Sequence, residues 1–271
     1  MARQREYVLG HSEAELARLA SQASFFGDLT EDVLRRAGVG AGMDVLDVGC
    51  GAGDGSFLAR SLVGPSGSVH GVDLSDVAVS AARARAEGAG AQNVTFETAD
   101  LTKLRTSERF DAIVGRLVLL YLADPVSAVR SLARLLRPGG VIVFQEFDLS
   151  TARSVPEIPL FEAHMGVVRE AFRRAGAMVD MGTALYPIFR SAGLQDVMMI
   201  GHTRIEAGPA SGAYEQLAGI ARTLLPVIER FGLGTAASLD LDTFVQRLRA
   251  EVCERDAVIF APRLVGVWAR G

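Results

Sequence analysis

The residues best suited to chemistry lie in a short glycine-rich segment, Asp47-Val-Gly-Cys-Gly51, which follows the apolar residues Val45 and Leu46. An apolar run of this kind suits a buried parallel strand, and the apolar residues beyond Gly53 have the spacing of a helix. Glycine has no Cβ atom, so the backbone between this strand and this helix can approach a ligand closely. The segment therefore predicts a ligand-binding loop at the N-terminus of a helix.

The spacing of the glycines indicates which ligand the loop would bind. Gly49, Gly51 and Gly53 alternate with other residues, whereas a dinucleotide site favours Gly-x-Gly-x-x-Gly. Asp54 stands where that pattern has its third glycine, and a carboxylate at a helix N-terminus disfavours a pyrophosphate there. We therefore expect a cofactor with a nucleoside but no phosphate, and a dehydrogenase is the weakest interpretation.

Further carboxylates follow at the ends of later predicted strands. Asp73 lies roughly 20 residues beyond the glycine loop, where a carboxylate can accept hydrogen bonds from the hydroxyls of a ribose. Asp100 ends the third predicted strand, and Arg116 follows the fourth. The alternating βα units of residues 40–145 predict a parallel sheet with helices on both faces, which binds its ligand at the carboxyl ends of the strands.

Five pieces of the sequence occur in the order found in one enzyme family. They are Asp47-Val-Gly-Cys-Gly51, Asp73, Ala99-Asp100-Leu101, Phe110-Asp111 and Arg137-Pro-Gly-Gly140. Over roughly residues 40–150 the chain thus resembles the class I S-adenosylmethionine-dependent methyltransferases, in their small-molecule and quinone-biosynthesis branch. The resemblance implies a Rossmann-like α/β fold, with a seven-stranded mostly parallel sheet, helices on both faces and helical cap insertions.

The resemblance also implies roles for individual residues toward S-adenosyl-L-methionine. Asp73 would bind the ribose hydroxyls, and Asp100 would bind the adenine amino group. Leu74 and Leu101 would cover the faces of the adenine. The loop with Asp47, Gly49 and Gly51 would lie beneath the methionine part.

The N-terminal segment resembles a part of one branch of these enzymes that folds over the cofactor. By that resemblance Tyr7 could reach the methionine carboxylate and Arg18 could pair with it, since a guanidinium donates two parallel hydrogen bonds to a carboxylate. An ordinary solvated helix face is the alternative for Arg18 and Gln22. By its position Arg116 points toward the methionine end, and a surface arginine is the alternative.

The order of predicted elements divides the chain into four segments. Residues 1–38 form an N-terminal helical segment covering the cofactor, and residues 39–150 form the cofactor-binding core. Residues 151–192 form a helical cap, reached through a linker at 151–160. Residues 193–271 add the last strands, with a helical insertion at 211–256.

Several element boundaries are expected from local patterns alone. Two helices are predicted before the first strand, one beginning near His11 and one over residues 30–37. A sixth strand is predicted over residues 195–205. Residues 257–260 and 264–268 are expected to form the last strand with its edge hairpin partner.

Composition excludes several classes of protein. The chain has 271 residues and a net charge of −4, and no run of Lys or Arg marks a nucleic-acid surface. Cys50 and Cys253 give neither a disulfide framework nor a metal set, so the expected location is a reducing cytoplasm. We expect neither a secretory signal nor membrane insertion, because no apolar stretch approaches the ~18 residues of a membrane span.

Methyl transfer from a sulfonium needs donor and acceptor held in line, and no metal is required. A base is needed only when the acceptor is weakly acidic. Glu146 and His11 are the predicted catalytic bases, with His164 and His202 as further candidates. A structural carboxyl group that binds loop N–H groups is the alternative for Glu146, and capping or core packing is the alternative for the histidines.

The leading interpretation is an S-adenosylmethionine-dependent methyltransferase acting on O, N or C of a small apolar or aromatic acceptor. Tyr121, Tyr186 and Tyr214, with Phe161 and Phe172, could line the acceptor pocket or pack in the core. A non-catalytic cofactor-binding subunit is one alternative, and methylation coupled to rearrangement is another. A homo-oligomer is compatible with the sequence, which leaves the oligomeric state open.

Overall fold

A computed structural model describes residues 13–271, and their side chains from Arg18 onward. The strands are β1 (Asp44–Val48), β2 (Ser68–Asp73), β3 (Val94–Thr98), β4 (Phe110–Arg116), β5 (Leu136–Asp148), β6 (Arg153–Val155), β7 (Met198–His202), β8 (Ile205–Ala207), β9 (Val258–Phe260) and β10 (Arg263–Arg270). The helices are α1 (Glu13–Ala37), α2 (Asp54–Val63), α3 (Asp76–Gly88), α4 (Pro125–Ala133), α5 (Pro159–Arg174), α6 (Met181–Ala192), α7 (Ala213–Arg230) and α8 (Phe244–Glu254). Short 3₁₀ turns lie at Leu119–Tyr121 and Leu149–Thr151.

Seven strands form the central sheet in the order β3-β2-β1-β4-β5-β10-β7. The pairs from β3 to β5 are parallel, and β10 runs antiparallel to both β5 and β7. Successive residues along the central strands enter two separate cores, because side chains alternate between the faces of a sheet. Leu46 and Ile113 pack on the face that carries α4 and α6, whereas Val45 and Ala112 pack on the face that carries α1, α2 and α3. This architecture confirms the predicted fold class.

The N-terminal helix differs from the prediction of two helices. Helix α1 is continuous over 25 residues. Thr30, expected near the start of a second helix, lies within α1 and donates its hydroxyl to the carbonyl of Phe26 at 3.2 Å. Phe26, Val33 and Leu34 are buried on the same helix, so tertiary packing carries α1 through the positions that looked like a break.

The C-terminal strands also differ from the prediction. The predicted strand at 195–205 ends at His202, and Ile205 belongs to β8 in a second sheet of order β6-β9-β8. Residues 258–260 form the central strand of that sheet and do not pair with β10. The predicted linker at 151–160 supplies its third strand, β6.

The small sheet, α5, α7 and α8 share a core that includes Phe161, Tyr214, Phe244, Leu248 and Ile259. The predicted insertion at 211–256 therefore contributes two helices to a cap. Helix α6 was expected in the cap as well, but it packs on β5, β10 and α4 and belongs to the layer covering the central sheet. Within residues 13–271 no helix is long and apolar enough to cross a membrane.

Candidate functional site

The glycine loop joins β1 to α2 and is tied to the carboxyl end of β2. The N–H groups of Gly49 and Cys50 donate to the carbonyl of Val72 at 2.8 and 3.0 Å. Gly49, Gly51 and Gly53 have φ values of +68°, +55° and +89°, a region in which other residues are strained. The path of this loop therefore depends on its glycines.

Asp73 lies at the end of β2 and contacts the same loop. Its Oδ2 accepts a hydrogen bond from the N–H of Gly51 at 2.9 Å, and its Oδ1 accepts one from the N–H of Ser75 at 2.9 Å. These two bonds fix the orientation of the carboxylate. Because an ionised carboxylate has about four acceptor positions, Asp73 can still accept from two hydroxyls of a ligand.

Asp100 lies two residues beyond β3. Its Oδ1 accepts from the N–H and the hydroxyl of Thr102 at 2.9 and 2.6 Å, and its Oδ2 is 2.9 Å from the Nζ of Lys103. Although burial opposes ionisation, these partners hold the pKa of Asp100 below its ordinary value. Leu74 and Leu101 line the cavity beside it, and Leu74 is 59% exposed. An exposed leucine at a cavity edge offers apolar surface to a flat ring.

Asp47 lies beneath the loop, 3% exposed, and accepts a hydrogen bond from the Oγ of Ser56 at 2.6 Å. Burial raises the pKa of Asp47 to about 7, an effect that the Arg116 guanidinium opposes. Arg116 lines the cavity and is half-buried; burial lowers its pKa, against the attraction of Asp54 and Asp47. Its position is therefore not that of a surface arginine.

A cavity of about 300 Å³ connects these polar groups with a large apolar lining. Helix α1 contributes Arg18, Leu19, Gln22, Phe25 and Phe26. The remaining apolar lining comes mainly from the segment after β4 and from the helices of the cap, and includes Leu117, Val118, Leu120, Tyr121, Phe147, Phe161, Met165, Val168, Phe172, Met178, Leu217 and Ile220. One continuous space thus joins the predicted cofactor residues to an apolar chamber.

Of the aromatic residues considered for the pocket, Tyr121, Phe161 and Phe172 line the cavity. Tyr186 is 47% exposed on α6, and Tyr214 is buried with its hydroxyl donating to the carbonyl of Gly208 at 2.9 Å. Phe25 and Phe26 were not foreseen as lining residues. Their spacing from Arg18 and Gln22, three to eight residues along one helix, was the signal that could have found them.

Glu146 does not line the cavity and is completely buried. Its Oε1 accepts hydrogen bonds from the N–H groups of Val118 and Leu119 at 2.9 and 2.6 Å. Burial raises the pKa of Glu146 to about 8. The structure therefore corrects the expected placement of Glu146 beside the pocket: its contacts are those of the alternative, a carboxyl group that binds loop N–H groups.

The histidines differ in where they lie. His164 stacks on Phe244 at 4.2 Å, its Nε2 is 2.8 Å from the carbonyl oxygen of Leu217, and burial lowers its pKa to about 4. The Nε2 of His202 is 3.0 Å from the Oδ2 of Asp32. Tyr7 and His11 lie outside the described residues. Among the side chains that the structure describes, from Arg18 onward, no three His, Cys, Asp or Glu groups lie together so that they could hold a metal ion.

Two of the five sequence pieces lie away from the cavity. Arg137 pairs with Asp111 at 2.6 Å and with Asp44 at 2.8 Å. Asp44 and Asp111 lie at the amino ends of β1 and β4, opposite the glycine loop. This ion cluster ties three strands together, so these residues serve the fold and not the ligand.

Comparison with known proteins assigns this architecture to a family. Residues 40–193, more than half of the chain, match the family model described as a methyltransferase domain. The chain belongs to the methyltransferase domain family. The match confirms the resemblance to class I S-adenosylmethionine-dependent methyltransferases and, with it, S-adenosyl-L-methionine as the cofactor.

The similarity to individual methyltransferases is modest in sequence identity. The phosphoethanolamine N-methyltransferase 1 of Triticum aestivum is 31% identical over 56% of this chain and 30% of its own length. The ubiquinone biosynthesis O-methyltransferase of Thiobacillus denitrificans is 36% identical over 40% of this chain and 46% of its own length. The chain thus spans less than half the length of these curated relatives. Among solved structures, YcgJ of Bacillus subtilis has a TM-score of 0.59 at 18% identity, covering 90% of this chain and 98% of its own, which shows the shared fold.

Proposed function

We propose that this chain transfers the methyl group of S-adenosyl-L-methionine to O, N or C of a small apolar or aromatic acceptor. The observation that carries the proposal is the single cavity lined both by Asp47, Asp73 and Asp100 and by apolar side chains of α1 and the cap. The carboxylates suit the hydrogen-bond donors of a nucleoside cofactor, and the apolar side chains suit an apolar acceptor.

The residues at the polar end fit the cofactor. Asp73 is held by two backbone N–H groups and keeps acceptor positions for the ribose hydroxyls. Leu74 and Leu101 would enclose the adenine, whose amino group would donate to Asp100. Asp54, paired with Arg85 at 2.9 Å, lies in the first turn of α2 and would occupy the room that a pyrophosphate needs at this helix N-terminus.

At the methionine end, Gly49 and Gly51 bring the backbone close, with Asp47 beneath them. Arg116 and Arg18 supply guanidinium groups to the same cavity, suited to the methionine carboxylate. Tyr7 is proposed for that carboxylate as well. Bound S-adenosyl-L-methionine supplies an already activated methyl group on a sulfonium.

The chain's own contribution would then be to position the acceptor and exclude water. Residues 1–38 are proposed to cover the cofactor, and the insertion at 211–256, together with the cap segment before it, is proposed to cover the acceptor. Phe25, Phe161 and Phe172 are suited to contacting aromatic rings and leave little space for water. Holding the two reactants in line can contribute roughly 7–11 kcal/mol to lowering the barrier.

The nature of the acceptor is proposed from this lining. Apart from Arg18, Gln22, Tyr121 and Gln216, the described side chains that α1, the segment after β4 and the cap place in the cavity are apolar. An aromatic acceptor, as in quinone-type methylation, suits that lining better than a phosphorylated amine would. For acceptors that need a base, His11 is the residue we propose, since Glu146 is enclosed away from the cavity.

The test is a panel of acceptors incubated with S-adenosyl-L-methionine. Phenolic and quinone-like compounds, phosphoethanolamine and buffer alone would be compared by S-adenosylhomocysteine release and product mass. With aromatic acceptors we expect release of S-adenosylhomocysteine and a product heavier than the acceptor by one methylene. Asp73→Ala should show neither the release nor the product. Cofactor binding without turnover of any acceptor would favour a non-catalytic subunit, and a product with further bond changes would favour coupled rearrangement.

A further inference from the structure

The segment after β4 makes an unusual turn at Leu117. Its φ is +56°, a left-handed conformation that is unfavourable for a residue with a Cβ atom. The N–H of Leu117 donates to the carbonyl of Gln145 on β5 at 2.8 Å. A turn of this kind persists only when surrounding contacts hold it.

Glu146, the next residue along β5, supplies those contacts. A single oxygen, Oε1, accepts from the N–H groups of both Val118 and Leu119, at 2.9 and 2.6 Å. Glu146 is 0% exposed, and among the described residues its Oε2 has no hydrogen-bond partner. A carboxyl group in this setting is suited to accepting two backbone bonds, and it cannot reach an acceptor molecule.

The turn that Glu146 holds packs against the glycine loop and also lines the cavity. A Cβ atom built on Gly49 would lie 2.5 Å from the Cγ2 of Val118, so Val118 packs directly on the cofactor loop. Leu117, Val118 and Tyr121 also line the cavity. The turn therefore lies where the cofactor loop meets the apolar chamber.

We propose that Glu146 is a positioning residue whose Oε1 fixes the turn at 117–119 and thereby the contact of Val118 with the glycine loop. This inference rests on the proposed function, because it takes the cavity to be the cofactor site. It assigns Glu146 no proton transfer with the acceptor. What matters is an acceptor atom at the Oε1 position, whether or not the group is charged.

The test uses the full chain. Isothermal titration measures the binding of S-adenosylhomocysteine, and hydrogen exchange measures the protection of the amides in the segment 115–122. Glu146→Gln keeps an acceptor oxygen and should bind within about threefold of wild type, with the amides of Val118 and Leu119 still protected. Glu146→Ala should weaken binding at least about tenfold and expose both amides, because the half-buried N–H of Val118 and the buried N–H of Leu119 both lose their acceptor. Gln145→Ala is the matched control, since this neighbouring side chain is also buried but its amide donates to the carbonyl of Leu29 on α1, at 3.5 Å.

Val118→Ala provides a second route if Glu146→Ala fails to fold. It leaves the acceptor in place, so it should weaken S-adenosylhomocysteine binding while the Leu119 amide stays protected. Wild-type affinity and amide protection in Glu146→Ala would overturn the proposal, as would a loss in Glu146→Gln equal to that in Glu146→Ala. If the wild type fails to bind S-adenosylhomocysteine, the proposed function fails, and hydrogen exchange alone still decides whether Glu146 holds the turn.

Discussion

The Cγ2 of Val118 occupies the space that a side chain on Gly49 would need, since a Cβ atom there would approach it to 2.5 Å. Gly49 also has a φ of +68°. Two constraints therefore favour glycine at the first position of the glycine loop. One is the left-handed backbone conformation of Gly49, and the other is the side chain of Val118 from the turn after β4.

Replacing Gly49 with alanine should combine both penalties. The left-handed backbone costs about 1–2 kcal/mol for a residue with a Cβ atom, and the clash with Val118 adds to it. Gly51→Ala is the matched control, because Gly51 has a φ of +55° but nothing lies within 4 Å of its built Cβ. Urea unfolding should show a larger loss of stability for Gly49→Ala, partly reversed by adding Val118→Ala. Equal losses in the two single variants would show that the contact with Val118 is unimportant.

Removal of the Asp73 carboxylate should weaken cofactor binding strongly. Hydrogen bonds to a charged group contribute about 1.5–3 kcal/mol each, so losing two from a ribose corresponds to at least ~100-fold in the Kd for S-adenosylhomocysteine. Isothermal titration of Asp73→Ala measures this. Asp76→Asn, an exposed carboxylate three residues further on, should bind like wild type. Unchanged affinity in Asp73→Ala would remove Asp73 from the site.

The titration of Glu146 should appear in the pH dependence of stability. Its pKa is about 8 in the folded chain, against about 4.3 in an unfolded one. Between these values the native state keeps a proton that the unfolded state has released, so stability falls as pH rises, by up to ~1.4 kcal/mol per pH unit.

The Glu146→Gln variant has no ionisable group at this position, so this contribution to the pH dependence is absent. Its unfolding free energy relative to wild type should therefore rise between about pH 5 and pH 8 and then level off. Urea unfolding of both proteins across that range measures the difference in their unfolding free energies. Asp47, whose pKa is also raised, is present in both proteins, so its contribution cancels in this difference. A difference that stays constant with pH would mean that Glu146 is already ionised in the folded chain.

A charge placed in the apolar chamber should separate acceptor binding from cofactor binding. Ile220 lines the cavity from α7 and is half-buried. Ile220→Asp should raise the KM for an aromatic acceptor at least about tenfold, because a carboxylate disfavours an apolar neighbour, while the Kd for S-adenosylhomocysteine stays the same. Leu225→Asp, half-buried on the same helix but outside the cavity, is the control. An unchanged KM in Ile220→Asp would place the acceptor elsewhere.

The sequence predicted the central sheet because its cues are local. Apolar runs indicated the buried strands. The alternating glycines indicated a loop with backbone conformations that favour glycine. The positions of Asp73 and Asp100 followed from parallel strands having their carboxyl ends at one edge. The placement of these two carboxylates beside the loop needed no tertiary information beyond that rule.

The features that were missed depend on contacts between distant segments. The continuity of α1 depends on packing of Phe26, Val33 and Leu34, and the small sheet joins strands more than 100 residues apart. Glu146 sits at a strand end like a catalytic group, but its side chain turns away from the cavity toward two backbone N–H groups. Sequence alone does not show which way a side chain at such a position points.

The most direct test of the central claim is a crystal structure of this chain with S-adenosylhomocysteine. We expect the ribose hydroxyls on the carboxylate of Asp73, the adenine between Leu74 and Leu101, and the sulfur facing the apolar chamber. A ligand bound at another place, or none despite saturating concentration, would contradict the assignment of this cavity as the methyl-transfer site.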